Sequence, residues 1–178
     1  AGSGKTRVLS YRIAYLIQQG VDPFHILSLT FTNKAAREMK DRIGKLVGES
    51  EAKNIWMGTF HSVFARILRI ECEKINYPRN FTIYDTSDAK SLVKDIIKEM
   101  GLDDKIYKPG TVYNRISSCK NNLVSPADYL NDIDIVAEDR QAGRPKMGEI
   151  YAKYDIRLFK AGAMDFDDLL FKTNVLLR

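Results

Sequence analysis

The sequence predicts an α/β fold whose parallel sheet is interrupted by an all-helical insertion. Helix and strand patterns alternate over the first 84 of the 178 residues, whereas residues 86–161 contain no convincing strand pattern. Alternation of this kind is typical of a parallel sheet covered by helices on both faces. The net charge changes at the same places: it is +6 over residues 1–84, zero over 85–162 and −1 over 163–178, which sum to +5.

The first part of the chain is expected to contain two buried strands, each followed by a helix. Apolar residues at helical spacing predict an opening helix over residues 7–19 that ends at Gly20. Runs of apolar and β-branched residues at 26–31 and 55–60 predict the two strands. A further short extended segment is expected at residues 81–84.

The remaining elements follow from capping signals and helical stripes. Gly48, Gly101 and Gly162 are expected to end three helices. Helix N-caps are predicted at Thr32 or Asn33, at Thr86 or Ser87, at Ser125 before Pro126, and at Asp165.

The chain opens on the second half of a phosphate-binding loop. The complete loop reads G-x-x-x-x-G-K-[ST], and Gly4, Lys5 and Thr6 supply its last three positions. We therefore expect that the chain is a piece of a longer protein that binds a nucleoside triphosphate. The alternative is a Gly-Ser linker before an ordinary helix. Candidate nucleotide-binding residues are Gly2, Ser3, Gly4, Lys5, Thr6 and Arg7.

Polar residues follow both predicted strands, where ligands of open α/β sheets bind. The candidate nucleic-acid-binding residues are Phe31, Thr32, Asn33, Lys34, Thr59, His61 and Ser62. The hydroxyl and amide groups are suited to phosphate oxygens. Phe31 either stacks on a base or packs in the core, and without other evidence the core is favoured. No second His, Cys or acid lies at metal-ligand spacing from His61, so a helix cap is the alternative for this residue.

Three acids near the end of the chain, Asp165, Asp167 and Asp168, are explained more simply by a helix N-terminus than by a metal site. Cys72 and Cys119 have no metal or redox spacing, so we expect buried thiols in a reducing compartment. No apolar run approaches the roughly 18 residues of a membrane span. The excess of basic residues in the first half favours a polyanionic partner, although a solvated lysine face is an alternative.

Four motifs in order resemble the superfamily 1 DNA helicases of the UvrD/PcrA/Rep group. A-G-S-G-K-T, at the start of the chain, is similar to motif I, and T-F-T-N-K-A-A-R-E-M is similar to motif Ia. G-T-F-H-S is similar to motif Ib, and D-F-D-D-L-L follows a helical insertion, as in that family. The resemblance covers nearly the whole chain. It implies a RecA-like domain 1A formed by residues 1–84 and 163–178, and a helical subdomain 1B formed by 85–162.

The resemblance also implies the chemistry. Lys5 and Thr6 would be catalytic residues that bind ATP, with Thr6 on Mg²⁺. The strand-end residues would lie along the path of the single DNA strand, on which the helicase would move 3′ to 5′. Expected partners are single-stranded DNA, junctions of single- and double-stranded DNA, and proteins of a repair pathway, in the cytoplasm. The family's D-E-x-x motif, the adenine-reading glutamine and the arginine fingers do not occur in these residues. We therefore expect the 178 residues alone to be inactive.

Two alternatives remain, and the second belongs to a different class of enzyme. One is the helicase subunit of a RecBCD- or AddAB-like nuclease complex, which shares motif I; the compact insertion and the D-F-D-D-L-L context argue against it. The other is a P-loop small-molecule kinase, which has no need for T-F-T-N-K and G-T-F-H-S at successive strand ends.

Overall fold

The computed structural model describes residues 4–178, which divide into two compact units. The first unit ends at Arg66, and the second runs from Ile67 to Arg178. No helix of the described residues is long and apolar enough to cross a membrane.

The first unit contains a small parallel sheet with helices. Its elements are α1 (Lys5–Gln18), β1 (Leu27–Thr30), α2 (Asn33–Val47), α3 (Glu49–Asn54), β2 (Trp56–Thr59) and α4 (Phe60–Glu71), whose last turns extend past Arg66. The strands pair in parallel, with Leu27 opposite Trp56 and Thr30 opposite Thr59. A core of apolar side chains lies between α1, α2, α3 and the sheet; its buried members are Ile13, Ile26, Met39, Ile43, Ala52 and Ile55.

The second unit is mainly helical. Its elements after α4 are β3 (Thr82–Tyr84), α5 (Thr86–Glu99), α6 (Pro109–Asn121), α7 (Pro126–Asn131), α8 (Ile133–Gln141), α9 (Met147–Lys160), β4 (Ala163–Asp165) and α10 (Phe166–Leu176). β3 and β4 form a second two-stranded parallel sheet, with Tyr84 opposite Asp165. Helix α9 is the centre of the core, since Ile150, Tyr154 and Leu158 are completely buried along one of its faces.

The structure confirms the α/β pattern and the helical stretch. Both predicted strands form, and every strand residue of the described part lies outside 86–161. The described residues form two two-stranded parallel sheets, so a full RecA-like sheet stays a prediction. The glycines that were expected to end helices have positive φ angles just after a helix: Gly20, Gly48, Gly101 and Gly162. Both cysteines are buried free thiols.

Two local predictions need correction. Neither Thr86 nor Ser87 caps α5, because the carboxylate of Asp85 accepts the backbone N–H groups of Ser87 and Asp88. Asp88 closes a capping box by accepting the N–H of Asp85, and this reciprocal pair fixes the start of the helix. The prediction also omitted β4, whose three residues are defined by pairing with β3.

Candidate nucleotide and nucleic-acid site

The start of α1 carries the part of the phosphate-loop sequence that the structure describes. Gly4 is the N-cap, with a left-handed backbone (φ 70°), and Lys5, Thr6 and Arg7 form the exposed first turn. Candidate residues Gly2 and Ser3 lie outside the described residues. A 3.0 Å hydrogen bond from the N–H of Val8 to the carbonyl of Gly4 closes the first turn of the helix. A glycine before a helix start is what the loop sequence requires, because non-glycine residues rarely adopt this backbone conformation.

The start of α1 has a general feature of anion sites. No side chain of the described part caps this helix, and the uncapped N–H groups of a helix start are donors suited to an anion. The guanidinium of Arg7 lies over the ring of Tyr11, 5.8 Å from its centroid. The carbonyl of Thr6 accepts a bond from the hydroxyl of buried Ser10, which holds the first two turns together. The hydroxyl of Thr6 and the ammonium of Lys5 lie on exposed residues.

The parallel register brings the two strand-end motifs side by side. Since Thr30 is opposite Thr59, the next residues, Phe31 and Phe60, are neighbours, and their ring centroids lie 5.4 Å apart with planes inclined at 42°. Phe31 is 92% exposed, so the interpretation that it packs in the core is wrong. An exposed aromatic ring at the carboxyl end of a strand is suited to stacking on a planar group.

The hydroxyl groups at the two strand ends hold the starts of the following helices. The side chain of Thr32 accepts the N–H of Ala35 and caps α2. The side chain of Thr59 accepts the N–H of Ser62 at 3.3 Å, and the two hydroxyls lie 3.0 Å apart. Ser62 in turn donates to the carbonyl of Thr59 at 2.9 Å. Thr59, Ser62 and the start of α4 therefore form one rigid turn.

Gly58 allows this turn to form against the strand. A Cβ atom at this position would lie 2.6 Å from Oγ of Ser62 and 3.1 Å from Cγ2 of Val63. The first turn of α4 thus approaches β2 more closely than a side chain at position 58 permits. The glycine of the G-T-F-H-S motif is explained by this packing.

The other candidates lie in the first turns of the two helices. Asn33 and Lys34 are exposed at the start of α2, and the ammonium of Lys34 is 3.9 Å from the carboxylate of Glu38. His61 is half-buried in the first turn of α4. The structure therefore groups the candidates around two neighbouring helix starts, while Gly4, Lys5, Thr6 and Arg7 form a separate group at the start of α1.

The acidic motif near the end of the chain is a buried ion-pair cluster. Asp165 caps α10 and forms a capping box with Asp168, as its position predicted. The ammonium of Lys120 lies between them, 2.8 Å from Oδ2 of Asp165 and 2.9 Å from Oδ1 of Asp168. Tyr154 donates its hydroxyl to the same Oδ2 of Asp165 at 2.8 Å. Within residues 4–178, no group of three His, Cys, Asp or Glu side chains could hold a metal ion.

The pKa values of the two carboxyl groups in this cluster shift in opposite directions, although one ammonium lies beside both. Burial raises the pKa of Asp168 to about 6, and the charge of Asp165 adds to this effect. Burial alone would also raise the pKa of Asp165, but Lys120 and the hydrogen bonds from Lys120, Tyr154 and the Asp168 N–H hold it below its usual value. Asp165 is therefore the more firmly ionised partner.

Sequence reasoning did not identify Lys120 or Phe60. Lys120 lies four residues after Ile116 and eight after Val112, on the apolar stripe of α6. A lysine on an apolar stripe indicates a buried partner of opposite charge, and this signal was present in the sequence. Phe60 was in the G-T-F-H-S motif, but only the strand register shows that its ring lies beside Phe31.

The comparisons with known proteins agree on one family. The UvrD/REP helicase N-terminal domain matches residues 1–178. The ATP-dependent DNA helicase PcrA of Staphylococcus aureus (strain NCTC 8325 / PS 47) is 47% identical over 174 residues, which are 97% of this chain and 23% of that protein. PcrA of Leuconostoc citreum is 45% identical over 97% of this chain and 22% of its own length. The chain therefore spans less than a quarter of these relatives. It belongs to the UvrD/REP helicase N-terminal domain family.

Proposed function

We propose that the chain is the ATP- and DNA-binding N-terminal part of an ATP-dependent 3′–5′ DNA helicase that unwinds duplex DNA in repair or replication. One observation carries the DNA-binding part of this proposal: the T-F-T-N and G-T-F-H-S segments end neighbouring parallel strands, where Phe31 is almost completely exposed. The first 84 residues and 163–178 would belong to a RecA-like domain, and residues 85–162 would form its helical subdomain.

The start of α1 would bind the phosphates of ATP. Gly2, Ser3 and Gly4 would turn the backbone toward the phosphates, and the ammonium of Lys5 would contact the β- and γ-phosphates. Arg7 would add positive charge beside the same helix start. The hydroxyl of Thr6 is a hard oxygen ligand and would hold Mg²⁺, which neutralises charge on the phosphates when bound.

The two strand ends would bind a single DNA strand. Thr32, Asn33 and His61 would donate hydrogen bonds to phosphate oxygens, as helix starts and hydroxyl groups commonly do. The hydroxyl hydrogens of Thr59 and Ser62 are used within their own turn, so these two residues would contact phosphates by exchanging those bonds. Lys34 would add positive charge. The ring of Phe31 would stack on an unpaired base, a contact that tolerates any sequence because every base has a π face.

The pairing of β3 with β4 supports the proposed domain boundaries. Tyr84 and Asp165 are opposite each other in this sheet, so the chain leaves for the helical segment and returns from it at adjacent positions. A segment that leaves and returns at adjacent positions can be inserted into a domain without changing the course of the chain on either side of it. In the cell we expect a cytoplasmic enzyme that works at junctions of single- and double-stranded DNA.

The test is DNA-stimulated ATP hydrolysis by the full-length protein. Lys5→Ala is expected to abolish hydrolysis and to change the free energy of unfolding by no more than about 0.5 kcal/mol, because an exposed lysine has no role in the core. Arg12→Ala is the matched control, since Arg12 is an exposed cation on the same helix about two turns later. Retention of most activity by Lys5→Ala would overturn the loop assignment. Hydrolysis that does not respond to single-stranded DNA would favour the small-molecule kinase instead. The 178 residues alone are expected to give no measurable hydrolysis.

A further inference from the structure

We infer that Phe60 is a positioning residue that holds the ring of Phe31 in the orientation needed for base stacking. The inference rests on the proposed single-strand site. Phe31 would contact the DNA base, whereas Phe60 would contact only the ring of Phe31. These two roles can be separated by experiment.

Three rings of this region form a row that runs from an exposed ring to two half-buried ones. Phe31 is 92% exposed, and the centroid of its ring lies 5.4 Å from that of Phe60. Phe60 is half-buried and packs edge-on against half-buried Phe64, with centroids 6.0 Å apart and planes at 80°. Phe60 thus lies between a ring that is open to solvent and a half-buried ring of its own helix.

The backbone that carries Phe60 is held on both sides. Before it, Thr59 is paired with Thr30 in the sheet. After it, the hydrogen bonds between Thr59 and Ser62 close the first turn of α4, and the close approach at Gly58 fixes that turn against β2. Phe60 can therefore serve as a fixed surface against which the ring of Phe31 rests.

Holding an exposed side chain in place before binding increases affinity. An exposed phenylalanine without a neighbour samples several rotamers, and binding must then select one of them. The centroid distance of 5.4 Å to Phe60 lies within the range of attractive aromatic pairs. With 92% of Phe31 still exposed, a base can reach the ring. Loss of the flat support at position 60 is therefore expected to weaken DNA binding through Phe31.

The experiment is a double-mutant cycle in the full-length protein. The affinity for a fluorescein-labelled oligodeoxythymidylate is measured by anisotropy for wild type, Phe31→Ala, Phe60→Leu and the double variant. Phe60→Leu is expected to weaken binding about three- to tenfold when Phe31 is present, and less than twofold when Phe31 is alanine. Phe60→Tyr keeps the flat ring and is expected to stay within twofold of wild type. A thermal melt of each variant checks folding, and Phe60→Met replaces Phe60→Leu if leucine prevents folding.

Each outcome has a distinct meaning. If Phe31→Ala binds as wild type does, the proposed stacking role of Phe31 fails. If Phe31→Ala weakens binding but Phe60→Leu does not, the positioning role is overturned. Equal loss from Phe60→Leu in both backgrounds also overturns it, because Phe60 would then act independently of Phe31. A loss in Phe60→Tyr as large as that in Phe60→Leu has the same consequence.

Discussion

Lys120 and Asp165 form an ion pair of 2.8 Å in which both side chains are only 1% exposed. The pair joins α6, in the middle of the helical segment, to the end of β4 and the start of α10. Asp168 and Tyr154 complete the cluster, so every member has a polar neighbour. A buried charge is tolerated only with partners of this kind. The return of the chain from the helical segment is therefore fixed by electrostatics as well as by strand pairing.

Removal of the ammonium should be strongly destabilising. Lys120→Met leaves two carboxylates buried without their counter-ion, and we expect it to lower the free energy of unfolding by about 3–5 kcal/mol. Lys146→Met is the matched control, because Lys146 makes a 2.7 Å pair with Glu149 in which both side chains are about half exposed. The control should cost about 0–1 kcal/mol. Urea unfolding followed by circular dichroism measures both. Similar costs for the two variants would contradict the importance assigned to the buried cluster.

The same cluster predicts a dependence of stability on pH. Because burial raises the pKa of Asp168 to about 6 from 3.8, the folded protein holds this proton more tightly than the unfolded chain does. Asp168 therefore contributes a stability that is complete below about pH 4 and is lost as pH rises through about 6. At ~1.4 kcal/mol per pKa unit, the loss is at most about 3 kcal/mol. The lowered pKa of Asp165 acts in the opposite direction but below pH 4, outside this window.

Asp168→Asn tests this dependence. The free energy of unfolding is measured between pH 4 and 7 for both proteins, and the difference between them is plotted, so that groups shared by both proteins cancel. We expect the advantage of wild type over the variant to decrease as pH rises. The amide also changes the contact with Lys120, so the absolute stability is not the readout. A difference that does not vary with pH would show that Asp168 titrates normally.

Alanine substitutions at Gly58 and Gly44 form a matched pair that tests how tightly the G-T-F-H-S turn is packed. An alanine at position 58 would press against Ser62 and Val63, and we expect a cost of about 1–3 kcal/mol together with weaker DNA binding. At position 44, within α2, the nearest atom to an added Cβ is 3.8 Å away, so Gly44→Ala should be neutral or stabilising by about 0.5–1 kcal/mol. Thermal melts and the DNA titration measure both. An unaffected Gly58→Ala would mean that the turn relaxes freely.

What the sequence predicted well was local, and what it missed was not. Helical stripes and the caps at Thr32, Ser125 and Asp165 depend on neighbours within a few residues, and the structure confirms them. The strand β4 was missed because three residues are too few to show a period. The pairing of Lys120 with Asp165 spans 45 residues along the chain, and no short pattern encodes such a contact.

Phe31 illustrates the same limit at the candidate site. The residue type favoured burial of Phe31, since phenylalanine is usually in the core, whereas the family resemblance favoured a place on the single-strand path. Strand β1 ends at Thr30, and the chain turns into α2 two residues later, so the ring lies beyond the last strand pair and outside the core. The exposure of one side chain depends on where pairing stops, which the sequence places only to within a residue or two.

Phe31→Ala therefore separates binding from stability. Truncation of a ring that is 92% exposed removes little packing, so the melting temperature should stay near that of wild type. A buried phenylalanine would instead cost about 3–5 kcal/mol. Loss of base stacking, at about 1–3 kcal/mol, should weaken binding of single-stranded DNA by about fivefold at the low end of that range and by about a hundredfold at the high end. Phe24→Ala is the matched control, because Phe24 is another exposed ring of the same unit, 56% exposed and outside both strand-end motifs. It should leave the DNA titration unchanged, although its larger buried fraction is expected to lower the melting temperature slightly. Equal weakening by the two variants would mean that any exposed aromatic ring of this unit contributes, and the special role of Phe31 would be lost.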